Sequence, residues 1–119
     1  MGKTLVFGAS TNSARYSNIA IHRLVDHAIE TEAFGIRLGM VSGVQIKNSL
    51  EDFHDIDTVT LYLNPKRQEQ YYQAIVDINP RRVIFNPGTE NIEFQKILQE
   101  NGIEVEVACT LVLLATGQF

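Results

Sequence analysis

The first residues that could do chemistry come early. Gly8-Ala9-Ser10-Thr11-Asn12-Ser13 is followed by Arg15, Ser17 and Asn18 within one short stretch. Small side chains let a ligand approach the main chain, hydroxyls and amides offer donors, and a guanidinium adds positive charge. The stretch follows the apolar run Leu5-Val6-Phe7 and leads into an amphipathic segment. A strand, a tight turn and a helix start present free N–H groups that attract anions. The chemistry this points to is phosphate binding. Only Gly8 of a G-x-G-x-x-G pattern is present, so the glycine by itself is an ordinary turn residue. The polar company of Ser10, Asn12, Arg15 and Ser17 carries the reading.

Other cations recur at matching places. Arg37 closes a second extended segment, and Lys66 with Arg67 follows a third, just after Asn64-Pro65. An acidic chain that gathers cations at strand ends suits an anion. Arg37 also discriminates among nucleotides. A site for NAD prefers Asp or Glu there, accepting from the ribose hydroxyls. A guanidinium suits a phosphorylated ribose, as in coenzyme A or NADP. Arg81 and Arg82 precede a fourth strand at the opposite edge and read as solvated surface groups. Asn86-Pro87-Gly88 ends that strand, either as a simple strand-to-helix turn or as a ligand contact in which Gly88 permits close backbone approach.

No catalytic or metal-ligand set is expected. His22 and His27 lie five apart and do not share a helix face. His54 stands among Asp52, Asp55 and Asp57, on an exposed turn. Cys109 precedes the last helix, where the dipole can favour a thiolate; the plainer reading is a small buried residue.

The elements that must position these residues follow from periodicity. Leu5-Val6-Phe7 is a buried strand. Ala20, Ile21, Leu24, Val25 and Ala28 fall at helical spacing, with Ser17 or Asn18 as N-cap. Residues 33–38 form a second strand, Val44-Gln45-Ile46 a short extended piece, and residues 48–53 one or two helical turns. Asp57 to Leu63 is the clearest strand, rich in β-branched and aromatic residues. A helix covers Lys66 to Ile78 and faces Tyr71, Tyr72, Ile75, Val76 and Ile78 inward. Arg82 to Phe85 is the fourth strand. Residues 91–101 form a helix with Phe94, Ile97 and Leu98 inside, and Ile103 to Val107 is the fifth strand. Cys109 to Ala115 is apolar on nearly all sides, either a buried helix or the contact of a homo-oligomer.

Alternating strands and helices predict an α/β domain over residues 1–119: three layers, with helices on both faces of a five-stranded parallel sheet. With the first strand central, the expected strand order is 3-2-1-4-5. The ligand crevice then lies above strands one and four. The totals agree with one soluble domain: 119 residues, 45% hydrophobic and 20% charged. A net charge of −4 argues against a nucleic-acid or acidic-membrane partner. No apolar run reaches the ~18 residues of a membrane span. One cysteine fits a reducing, cytoplasmic compartment.

The whole set of motifs resembles a known family. Leu5 to Asn12, Arg15-Tyr16-Ser17, Val41-Ser42-Gly43 with Ser49-Leu50, Thr58 to Arg67, Asn86 to Asn91, and Ala108 to Leu111 together resemble the small stand-alone CoA-binding domains. These are similar to the domain that opens the alpha subunit of succinyl-CoA synthetase. The resemblance implies a Rossmann-like fold and a small-molecule nucleotide ligand, coenzyme A or an acyl-CoA, with NADP as the alternative. It implies ligand contacts at Gly8, Ala9, Ser10, Arg15 and Ser17, with Asn86 and Gly88. It also implicates the loops after strands two and three, where Arg37, Asn64 and Lys66 lie. Many members have Asn-Pro at the end of strand two, where this chain has the stretch Ile36-Arg37-Leu38-Gly39. The synthetases keep their phosphorylated histidine in a later domain, so the resemblance implies binding rather than their reaction. The alternatives are an NADP- or NAD-linked enzyme or sensor and a regulatory subunit with a vestigial pocket.

Overall fold

The computed structural model describes residues 2–119. Among these residues seven strands form one sheet: β1 (Lys3–Phe7), β2 (Thr31–Phe34), β3 (Gly39–Val41), β4 (Val44–Lys47), β5 (Ile56–Leu61), β6 (Arg82–Phe85) and β7 (Glu104–Val107). Their order is β3-β4-β2-β1-β5-β6-β7. All neighbours are parallel except the β3–β4 hairpin.

The expected order 3-2-1-4-5 is therefore corrected. The five strands foreseen lie as 2-1-3-4-5, and the sheet has seven members. The cause is the hairpin. Strand β2 ends at Phe34 rather than at residue 38, and the chain turns back through β3 into β4. There Ala33 pairs with Ile46 and Phe34 with Lys47. That fills the outer side of β2, so β5 must cross to the free side of β1, pairing Thr4 to Phe7 with Thr58 to Leu61. The reversal of strand order, and with it the crevice, lies at β1 and β5 instead of strands one and four.

Helices cover both faces: α1 (Tyr16–Asp26), α2 (Pro65–Gln68), α3 (Tyr72–Ile78), α4 (Ile92–Glu100) and α5 (Thr110–Ala115). A single 3-10 turn at Glu69–Tyr71 divides the helix expected over 66–78 into α2 and α3. The N-cap of α1 is Arg15, not Ser17 or Asn18; both of those are already inside the helix and buried. No helix among the described residues is long and apolar enough to cross a membrane.

The two faces differ in chemistry. Under α3 and α4 lies an aromatic layer. Phe7 stacks on Phe34 with centroids 4.6 Å apart, Tyr71 stands edge-on to Phe7, and Tyr72 stacks on Phe94 at 4.4 Å. Ile75, Phe85 and Leu98 complete it. Beneath α1 and α5 the apolar layer of Val6, Ile21, Leu24, Ile46 and Leu114 gives way to buried Thr58, Thr60, Arg82 and Thr110. Helix α5 buries Leu113 and Leu114 and leaves Val112 exposed.

Arg82 is not the surface cation expected. It is only 7% exposed. Its guanidinium donates to the Thr58 hydroxyl at 3.0 Å, to Glu106 at 2.9 Å and to the Phe119 carbonyl at 2.9 Å, and it lies over the Phe119 ring. Every N–H group of a buried guanidinium must find an acceptor or water, and alternation along β7 supplies Glu106 on the right face. Arg81 remains at the surface, paired with Asp57 at 2.9 Å and Glu104 at 3.3 Å. The Arg81 guanidinium holds the Asp57 carboxyl below the usual carboxylate range, helped by the Thr58 hydroxyl and opposed by partial burial.

Candidate functional site

The β1–α1 turn is wound by its own groups. Gly8 takes φ +100°, and a Cβ there would lie 3.0 Å from Leu63. Both strain and space therefore demand glycine. The N–H groups of Gly8 and Ala9 both donate to the Phe34 carbonyl, at 2.9 and 2.8 Å, so these two amides are engaged within the sheet. Ser10 Oγ accepts from the Asn12 N–H, Asn12 Oδ1 accepts from the Ala14 N–H, and Asn18 Nδ2 donates to the Ser10 carbonyl. The N–H groups of Ser10, Thr11, Ser13, Tyr16 and Ser17 have no partner among the described residues. The last two belong to the first turn of α1, where the helix offers no carbonyl four residues back to accept them.

A second loop leans on the first. The Gly35 Cα faces the Ala9 carbonyl so closely that a Cβ would overlap it, and Gly39 packs on the Thr11 methyl. Arg37 is exposed in this 35–39 loop, between exposed Ile36 and Leu38. On the other side of β1, Asn64 caps α2 by accepting the Arg67 N–H at 2.9 Å, and Lys66 and Arg67 are exposed at the head of that helix. The structure thus brings Gly8, Ala9, Ser10, Asn12, Arg15 and Ser17 together on one turn. It packs Gly35 and Gly39 of the Arg37 loop against that turn, leaves Arg37 itself exposed, and places Asn64 and Lys66 after the neighbouring strand.

Asn86 and Gly88 lie one strand further along. The Gly88 N–H donates to the Glu90 carboxylate at 2.8 Å. Asn86 is 2% exposed, and its side chain is fully engaged internally. Its Nδ2 donates to the Thr60 hydroxyl and the Leu61 carbonyl, and its Oδ1 accepts from the Thr110 N–H at 2.8 Å. It pins the ends of β5 and β6 to the start of α5. Gln68, which no sequence pattern singles out, does similar work next door. Fully buried, it donates to the carbonyls of Leu63 and Thr89 and accepts from Asn91.

Charge is divided between the two ends of the sheet. Lys3, Arg81 and Arg82, at the strand starts, are ion-paired with Glu32, Asp57, Glu104 and Glu106. Arg15, Arg37, Lys47, Lys66 and Arg67 follow or close strands at the opposite, carboxyl edge, and none of them makes an ion pair among the described residues. Lys47 escaped sequence reading because β4 itself was read only as a short extended piece.

Tyr62 follows β5, beneath the Gly8 turn. Its hydroxyl is buried without a hydrogen-bond partner among the described residues. Burial pushes the phenol up to about 12, opposed by the nearby Thr60 and Thr110 hydroxyls, which bond each other at 2.8 Å. A proton held more tightly in the folded state contributes stability below the unfolded value near 10, and that stability is lost as pH rises toward 12. Tyr62→Phe is expected to keep or raise the thermal midpoint at pH 7, because it removes an unsatisfied buried hydroxyl. It should also flatten the alkaline loss of stability. Thermal unfolding from pH 7 to 12 checks both.

A mostly parallel, helix-covered sheet with a glycine turn after its inner strand defines a Rossmann-like α/β domain. The chain belongs to the CoA binding domain family, whose family model matches residues 2–115. A crystal structure described as that of an uncharacterized protein shares 47% identity with it, over 100% of this chain and 98% of the other, with a TM-score of 0.96. A hypothetical protein from Pyrococcus horikoshii OT3 shares 27% identity over 93% of this chain and 80% of its own, at TM-score 0.83. A Thermus thermophilus protein at 23% identity covers 99% of this chain and 91% of its own at TM-score 0.87, a likeness of fold. No curated protein sequence matches the chain.

Proposed function

We propose that the carboxyl edge of the sheet binds coenzyme A, free or acylated, by its phosphorylated-adenosine end. The observation that carries this reading is the coincidence, on that edge, of unpartnered amides between Ser10 and Ser17 with cations that lack carboxylate partners. Backbone amides and Ser10 would meet the diphosphate, and Arg15 and Lys66 would neutralise it. Gly8 and Ala9 would act by shaping the turn, since their own amides are engaged. Arg37 would meet the phosphate carried by the ribose. Asn64 and Asn86 would hold the heads of α2 and α5 in place beside the ligand, and Gly88 would leave room for it. No residue is assigned a catalytic role, and the reading is of a binding module in a reducing, cytoplasmic setting.

Titration calorimetry against coenzyme A, dephospho-coenzyme A, NADP and NAD tests it. Coenzyme A is expected to bind tightest. The dephospho form should bind about tenfold or more weakly, the loss of one charge-assisted contact. Tighter binding of NADP would favour the alternative ligand. Tighter binding of NAD would reject the role of Arg37, and no heat with coenzyme A would overturn the proposal.

A further inference from the structure

The β3–β4 hairpin does more than reorder the sheet. It raises one wall of an open groove of about 290 Å³, lined by Leu38, Gln45, Ile46, Lys47, Asn48 and Asp52. Lys47 is level with the start of the Arg37 loop: it pairs with Phe34, and its carbonyl accepts the Gly35 N–H at 3.0 Å. Its ammonium stands over the Phe53 ring, 5.7 Å from the centroid, and Phe53 is itself edge-on to Phe34 at 6.3 Å. An aromatic face attracts and orients a cation without neutralising it. The groove therefore holds a fixed, unpaired positive charge beside Leu38, the residue after Arg37.

We infer that Lys47 is a specificity residue: with Arg37 it makes this groove select a ligand whose ribose carries a phosphate. This rests on the coenzyme A reading above. The groove is at the small end of ligand pockets, so it suits one terminal group of a long ligand rather than the whole. Asp52 also lines it. Against that carboxylate Lys47 alone would leave no net charge. Arg37, which does not line the groove but adjoins its lining residue Leu38, supplies the further positive charge for a phosphate, while Asp52 accepts from a ribose hydroxyl or a base amine.

The test compares coenzyme A and dephospho-coenzyme A on wild type, Lys47→Met and Lys47→Arg. Methionine keeps the apolar stem against Phe53 and removes the charge. Lys47→Met is expected to bind coenzyme A about tenfold more weakly, with dephospho-coenzyme A unchanged within about twofold and Lys47→Arg close to wild type. Unchanged affinity for both ligands in Lys47→Met overturns the inference. So does an equal loss for both, or a lowered thermal midpoint that accounts for the change. A wild type that binds neither ligand would instead refute the underlying reading.

Discussion

Gly35→Ala should bind coenzyme A at least about tenfold more weakly than the wild type, a deficit of about 1.4 kcal/mol. The reason is steric and local. A methyl at residue 35 would overlap the Ala9 carbonyl and press on the Ile46 side chain at 3.1 Å. The obstacle is main chain held on both sides, since the Phe34 carbonyl binds the amides of Gly8 and Ala9 and Lys47 binds the Gly35 amide. One of the two loops must move, which separates Arg37 from the Ser10–Ser17 amides. Overpacking of this kind also costs about 1–3 kcal/mol of stability, so calorimetry belongs beside a urea titration of the same sample. Wild-type affinity in Gly35→Ala would show that the two loops do not act on the ligand together.

The second large effect is expected at Asn86. Asn86→Ala leaves the Thr110 N–H and the Leu61 carbonyl without partners in the protein interior, and leaves the Thr60 hydroxyl with the Thr110 hydroxyl alone. Each unsatisfied buried group costs about 1–3 kcal/mol, so the sum is about 3 kcal/mol or more. With a urea dependence of about 2 kcal/mol per molar for a domain of this size, the unfolding midpoint should fall by about 1.5 M. Asn86→Asp keeps the acceptor for the Thr110 N–H but turns a carboxylate oxygen toward the Leu61 carbonyl in the interior, and should be destabilised at least as much at pH 7. A shift below about 0.5 kcal/mol in Asn86→Ala would mean that water replaces all three partners.

What the sequence made legible was what depends on local pattern. The strand at Leu5-Val6-Phe7, the helical stripe from Ala20 to Leu24 and the inward Phe94 and Leu98 were plain because burial imposes period on neighbouring residues. The side of β1 on which Thr58 to Leu61 pairs was not, because no periodicity records it. It turned on Val44 to Lys47 claiming the outer edge of β2. Arg82 and Asn86 were misjudged or half-seen for a related reason. Their partners, Glu106, Thr60 and Thr110, lie about 24 residues away, and alternation along a strand does not say what the next strand will present. The candidate site was legible in its loops, Gly8 to Ser17 and Arg37, while the lysine at the end of β4 was hidden with its strand.

The division of charge along the sheet has a consequence for how quickly a ligand arrives. A molecule of net charge −4 repels a polyphosphate at long range, yet free cations at one edge and neutralised ones at the other give it a dipole. An approaching anion turns the molecule before touching it, so encounters are steered to the productive edge. Such steering fades as added salt shortens the range of the field. Capture should therefore slow with ionic strength more than release quickens.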